Sequence, residues 1–403
     1  MATKAGVGMS RHHNPNVAGR EAAEQALQKA GVNRPDFVMM FASIGYDQHS
    51  VLRAVRETTG GAPLTGCSAE GTINGGDADE SNFSVVVTAI SWDELLWTNG
   101  LAVWLETDPR AVGKRVAQHL LPNLSADTIG LFLFPDGLYD FVVATGTLGN
   151  FFAGLEENLP SERFLPLWGG GANFGLNMAP AYQYCDDEIV SDGVSYALLS
   201  GKAQASWAIS HGCIPIGEER KVTRSEGNII YEIDGKPALE VLKEYLPGDA
   251  LTDKRDWMRY AISLSLSFRA PSYMKDEEYV VRGVPAVRIA EGSIAVQTEV
   301  KEGTSVWLSS RDKEKISTGF DRMAAQIKEQ LGGEKPKLVF QFECGTRGKM
   351  MFREQEKLQL LRRFRQSLDP DAPWVGFYTA GEIGPVEEHN LRHLYTSVVL
   401  ALS

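Results

Sequence analysis

The feature that most constrains this chain is an alternation of strand-like and helix-like segments that begins at its start and completes two cycles. Lys4 to Met9 has the apolar run of a strand, and Asn14 to Ala30 has helical periodicity, with Asn14 placed as a cap, Pro15 at the first helical position and Gly31 as a stop. The run Asp36-Phe-Val-Met-Met-Phe-Ala-Ser43 predicts a buried strand, Gln48 to Thr59 a helix, and Pro63 to Gly66 a short third strand. The second cycle places strands at Asn82 to Ile90 and Thr128 to Phe134, and helices at Pro109 to Leu121 and Tyr139 to Leu155. Strands apolar on both faces need cover on both, so the alternation implies a sheet flanked by helices.

From about Leu165 the texture changes. Val194 to Leu199, Ala203 to Ser210, Lys221 to Arg224 and Ile229 to Ile233 follow one another as strands broken by Gly, Pro and Asp turns, which predicts a mainly antiparallel, strand-rich middle section. A helix over Lys236 to Tyr245 and strands between Arg259 and Leu308 follow, among them the period-two stretch Ala261 to Ser267. The helix Asp312 to Leu331, strand Lys337 to Phe342, helix Glu354 to Ser367 and strands Trp374 to Thr379 and Tyr395 to Leu402 complete the chain. The fold class is α/β with mixed sheets covered by helices. At 403 residues it exceeds the usual limit of a single core, so two domains are expected, 1–230 and 231–403.

Charge narrows the function classes. Fifty-two acidic against 40 basic residues give a formal charge of -12, which opposes the phosphate contacts that drive nucleic-acid binding. No run of 18 apolar residues or secretory h-region occurs, so no membrane insertion and a cytoplasmic location are expected. Cys67, Cys185, Cys213 and Cys344 lie far apart with no CxxC pair, which fits neither a zinc site nor a disulfide framework.

Four segments set glycine beside a polar or reactive residue at an expected strand end. They are Leu64-Thr-Gly-Cys-Ser-Ala-Glu-Gly-Thr-Ile73; Trp168-Gly-Gly-Gly-Ala-Asn173; His211-Gly-Cys-Ile-Pro-Ile-Gly217, with Tyr231 to Leu239 beyond it; and the pair Cys344-Gly-Thr-Arg-Gly348 and Gly376-Phe-Tyr-Thr-Ala-Gly-Glu-Ile-Gly-Pro385. In the first, Gly66, Cys67, Ser68 and Gly71 read as a tight turn whose backbone N–H groups can face an anionic ligand. Gly169, Gly170 and Gly171 leave backbone without Cβ atoms, for close ligand approach or for a bulge. Arg347 can hold a carboxylate and Glu382 an ammonium, so together with Cys344 beside them they would suit a zwitterionic amino acid, or else form an ordinary ion pair. His389 and His393 lack a third metal ligand. Gly345 to Lys349 fails as a phosphate loop, since Glu343 stands at its opening glycine and Met350 at its Ser or Thr.

The order of these motifs resembles the FIST family, with its N-terminal and C-terminal regions spanning nearly the whole chain. The resemblance implies a sensory or signal-transduction module that binds a small ligand and signals to a partner such as a histidine kinase. Some bacterial members are similar to NosP-type haem proteins that sense nitric oxide. On that implication His211, followed by Gly212 at a strand end, is the candidate axial ligand of a haem b, with Trp168 and Trp207 as lining if the fold unites them. The F-box of eukaryotic relatives, and the ubiquitin-ligase role it brings, are not expected here. A competing reading is a hydrolase or amidase-like enzyme using Cys67 or Cys344, which needs an accessible, low-pKa thiol; a binding role is expected over turnover.

Overall fold

A computed structural model describes residues 3–137, 146–160, 163–172, 180–246, 264–272 and 278–403. Asn14 caps the first helix as expected, its Oδ1 accepting from the amides of Asn16 and Val17, and Gly31 ends it in the left-handed conformation at φ 65°.

Three units of like topology follow one another. The first comprises β1 (Lys4–Ser10), α1 (Pro15–Ala30), β2 (Phe37–Ser43), α2 (Gln48–Thr58), β3 (Leu64–Ala69), β4 (Gly71–Asn74), β5 (Asp77–Asp79) and β6 (Val85–Ser91). The second comprises β7 (Leu95–Val103), α3 (Pro109–Leu120), β8 (Thr128–Pro135), α4 (Thr147–Glu156), β9 (Leu167–Gly170), β10 (Gln183–Cys185), β11 (Glu188–Val190) and β12 (Gly193–Gly201). The third opens with β13 (Ala205–His211), and an inserted body of β14 (Cys213–Glu226), β15 (Ile229–Ile233), β16 (Lys236–Pro237), α5 (Ala238–Lys243), β17 (Leu264–Arg269), β18 (Tyr279–Gly283), β19 (Ala286–Arg288), β20 (Ser293–Ala295) and β21 (Ser305–Arg311) follows. It closes with α6 (Lys313–Leu331), β22 (Leu338–Cys344), α7 (Glu354–Leu368), β23 (Trp374–Thr379), β24 (Glu382–Val386), β25 (His389–His393) and β26 (Thr396–Leu402).

In each unit the sheet order is first, last, second, third: β1-β6-β2-β3, β7-β12-β8-β9 and β13-β26-β22-β23. The second and third strands run parallel, and each last strand runs antiparallel between its neighbours. The hairpins are exchanged in a cycle. The first unit's β4–β5 adds to β23, the third unit's β24–β25 adds to β9, and the second unit's β10–β11 adds to β3. Each unit therefore completes another's sheet to six strands. The middle section is antiparallel as expected, apart from the parallel pair β8–β9.

The registers coincide. Gly66 lies opposite Met40, Gly169 opposite Leu133 and Gly376 opposite Gln341. At each of the three, a Cβ atom would overlap the carbonyl oxygen of the residue opposite, so glycine is required by a close backbone approach repeated three times. One residue further on each second strand, Phe41, Phe134 and Phe342 meet with Phe377 in the common core. Ring centroids are 5.3 Å apart for Phe41–Phe134, 4.4 Å for Phe41–Phe377 and 6.2 Å for Phe134–Phe342. The outer faces of the sheets are covered by α1 and α2, α3 and α4, and α6 and α7 in separate apolar clusters, and the inserted body has its own. No described helix is long and apolar enough to cross a membrane.

Candidate functional site

Alternation along the strands puts a second layer two residues past the phenylalanines, at the carboxyl ends of the parallel pairs, where α/β sheets generally open to ligands. Its second-strand members are Ser43, Asp136 and Cys344; opposite them stand Ala69, Ala172 and Thr379. The exchanged hairpins bring Thr72, Gln183 and Glu382 up beside this layer, opposite Phe377, Cys67 and Gly170. All of these side chains are buried.

The three hairpin positions meet different partners. Thr72 bonds Ser84 through their hydroxyls, and Glu382 accepts from Thr379 Oγ1 at 2.6 Å and from the Thr396 amide at 3.1 Å. Gln183 occupies the corresponding place on the second unit's hairpin, but the residues of that unit corresponding to Thr379 and Ser84 are Ala172 and Gly193, which offer no side-chain oxygen. Neither amide atom of Gln183 has a hydrogen-bond partner among the described residues, nor has the Ser43 hydroxyl. Leaving such a group buried and unpaired costs about 1–3 kcal/mol.

Burial pushes Glu382 up to about 8; repulsion from Glu343 adds to this, while the Thr379 and Thr396 bonds and the Arg347 charge oppose it. The unfolded chain titrates near the ordinary 4.5, so the native state holds the extra proton between those values. Stability conferred by that proton is complete below pH 4.5 and is lost as pH rises to about 8, at up to about 1.4 kcal/mol per pH unit. Urea unfolding across this range should show the slope in the wild type and its loss in Glu382→Gln.

Arg347 is buried on the helix side of the same strand end, over the Phe320 ring. Its Nε lies 2.7 Å from Glu343, and Nη1 donates to the carbonyls of Ser210 at 2.6 Å and Tyr395 at 3.4 Å. Arg347 and Glu382 therefore belong to one buried cluster but bond separate partners rather than forming the two jaws of a clamp. Cys344 lies between them, its thiol 3.1 Å from Thr346 Oγ1.

The first glycine motif differs from a turn: β3 continues through Ala69, and the chain reverses only at Glu70. The amides of Ser68 and Glu70 are spent on the carbonyls of Tyr182 and Tyr378, so Gly66, Cys67, Ser68 and Gly71 serve the exchanged pairing rather than an anion. Gly169 and Gly170 pair with Ile383 and Glu382, and Gly171 exchanges backbone bonds with Ala380 and Gly381. Asn173 lies outside the described residues.

The residues around His211 do not fit a haem. Its Nδ1 accepts from the Cys213 amide at 3.2 Å, and a Cβ on Gly212 would overlap Ile316, so helix α6 fills the approach. Trp168 and Trp207 do come together, but edge-on at 5.7 Å within the packed core, leaving no slot between them. Nor is a nucleophilic thiol prepared. Burial pushes Cys67 well up and Cys344 to about 12, Glu382 adding to the latter. His389 and His393 stand on a strand, and no metal-binding group occurs among the described residues.

Ser43, Asp136, Gln183 and Thr379 escape the motif reading. A signal for three of the layer's positions exists: each apolar strand ends Phe-x-Ser, Phe-x-Asp or Phe-x-Cys, at Phe41 to Ser43, Phe134 to Asp136 and Phe342 to Cys344.

These features define a mixed α/β protein of three like units joined by exchanged hairpins around a shared core, with a buried polar layer at the strand ends. The chain belongs to the FIST family: the FIST N domain matches residues 36–236 and the FIST C domain residues 238–385. It is similar to a Mycobacterium tuberculosis protein described as uncharacterized, 25% identical over 97% of each chain. A Methanocaldococcus jannaschii protein of the same description is 26% identical over 93% of this chain and 70% of its own. Among solved structures, a chorismatase aligns over 100% of this chain and 99% of its own at 10% identity and a TM-score of 0.36. A cyanuric acid hydrolase aligns over 50% of this chain and 69% of its own at 13% identity and a TM-score of 0.29. Neither score reaches the level of a shared fold.

Proposed function

We propose that this chain is a sensor for a small polar molecule of amino-acid size, bound in the strand-end layer and read by a partner protein such as a histidine kinase. The observation that carries the reading is Gln183, a fully buried amide without a partner among the described residues, at the position where the other two units satisfy theirs. An amide supplies both a donor and an acceptor, and the Ser43 hydroxyl supplies another of each. The family and the raised thiols support binding over turnover.

Thermal-shift and calorimetric titration with a panel of amino acids and small amines tests the reading. One chemical class should raise stability, by roughly 2.7 kcal/mol at a hundredfold excess over its Kd. Silence across the panel would remove the reading.

A further inference from the structure

We propose that the outer edge of β7 is a self-association surface, pairing antiparallel with β7 of a second copy of this chain. This stands apart from the ligand reading.

The three units differ in how they protect their first strand, each of which ends a sheet. In the first, Gln25 of α1 accepts from the Met9 amide at 3.2 Å, and Lys29 donates to the Val7 carbonyl at 2.7 Å. In the third, Gln330 of α6 brackets Trp207, accepting from its amide at 2.8 Å and donating to its carbonyl at 2.9 Å. Asn99 corresponds to Val7 and Trp207, because the three lie opposite the corresponding residues Ala197, Thr88 and Leu400. No helix side chain among the described residues reaches its backbone. Among the described residues a helix side chain caps only Val103, at the strand end, through Arg115 of α3 at 2.6 Å.

The cause lies in helix placement. Gly6 and Gly8 let α1 lie directly on β1, where Cβ atoms would overlap the carbonyls of Ala26 and Ala22. In the second unit the close approach is instead between helices: Cβ atoms on Gly113 and Gly154 would overlap the carbonyls of Phe151 and Arg110, so α3 is drawn toward α4. A cleft bordered by Asn99, Leu101, His119, Glu188 and Val190 runs along the strand.

This edge also lacks the usual guards against pairing. Leu95 to Trp104 contains no charge and no proline, in a chain that carries 92 charged residues. Its ends hold the two most exposed large apolar side chains among the described residues, Leu96 at 71% and Trp104 at 64%. The edge is self-complementary. The capped Val103 carbonyl shows that the odd-numbered residues turn their backbone groups outward, so a two-fold axis at Gly100 hydrogen-bonds odd residues to odd ones. In that register Leu96 falls opposite Trp104 of the second copy, and Thr98 opposite Ala102, on the closely spaced pairs.

Sedimentation equilibrium of the full chain should give a dimer. Leu96→Glu and, separately, Trp104→Glu should each raise the dimer Kd roughly 30-fold or more, as for an interface hot spot. Their far-ultraviolet spectra should match the wild type, since both side chains are exposed, and their unfolding midpoints should match it at concentrations low enough for all three to be monomeric. A wild type that stays monomeric up to about 100 times a micromolar concentration, or a dimer indifferent to both substitutions, overturns the proposal.

Discussion

Lys357→Met should destabilise the protein by about 3–5 kcal/mol, the effect of stranding a buried carboxylate. Lys357 and Glu80 are each 2% exposed and 2.7 Å apart. Glu80 also accepts two bonds from the Lys349 amide, at 2.8 and 2.9 Å. Burial pushes Glu80 upward, and the attraction of Lys357 opposes that without cancelling it. The pair fastens the first unit's exchanged hairpin, which ends just before Glu80, to α7 of the third unit. Removing the lysine should therefore loosen one of the three exchanges, whereas Glu80→Leu with Lys357→Met should recover much of the loss by removing both charges together. Denaturant unfolding of the two single variants and the double variant closes the cycle.

Gly66→Ala, Gly169→Ala and Gly376→Ala should each cost more than about 4 kcal/mol, in the range reserved for severe core damage. Every one of these Cβ atoms would sit on the backbone carbonyl of the adjacent parallel strand, and backbone in the middle of a sheet has nowhere to move. Gly149→Ala is the contrast. It lies in α4 with open space around its Cβ, and should be neutral or gain up to about 1 kcal/mol. Soluble yield and unfolding midpoints of the four variants distinguish a repeated structural requirement from a general intolerance of alanine.

The elements were legible because their signals are local. Asn14, Pro15 and Gly31 announce one helix, and the apolar runs from Phe37, Thr128 and Leu338 announce the buried parallel strands. The glycine motifs were legible too, but their meaning was not. The segments at Gly66, Gly169 and Gly376 are one position repeated, with an inserted body of strands delaying the third occurrence, and their sequences share little beyond the glycine itself. Exchange of the hairpins is invisible locally, because Gln183 meets Cys67 across 116 residues and Glu382 meets Gly170 across 212. Arg347 and Glu382 show the same limit. Residue type indicated a cation and an acid, while only packing reveals that Glu343 takes the cation and that burial pushes the acid's pKa upward.

The most direct measurement is the stability of Gln183→Leu with and without the amino acid or amine that shifts the wild type. Removing an unpaired buried amide should leave the free protein as stable as the wild type or more so. The same change should abolish the ligand-induced shift, because the group that pairs with the ligand is gone. A shift that survives in Gln183→Leu, or a free variant that is severely destabilised, would contradict a ligand site at this layer.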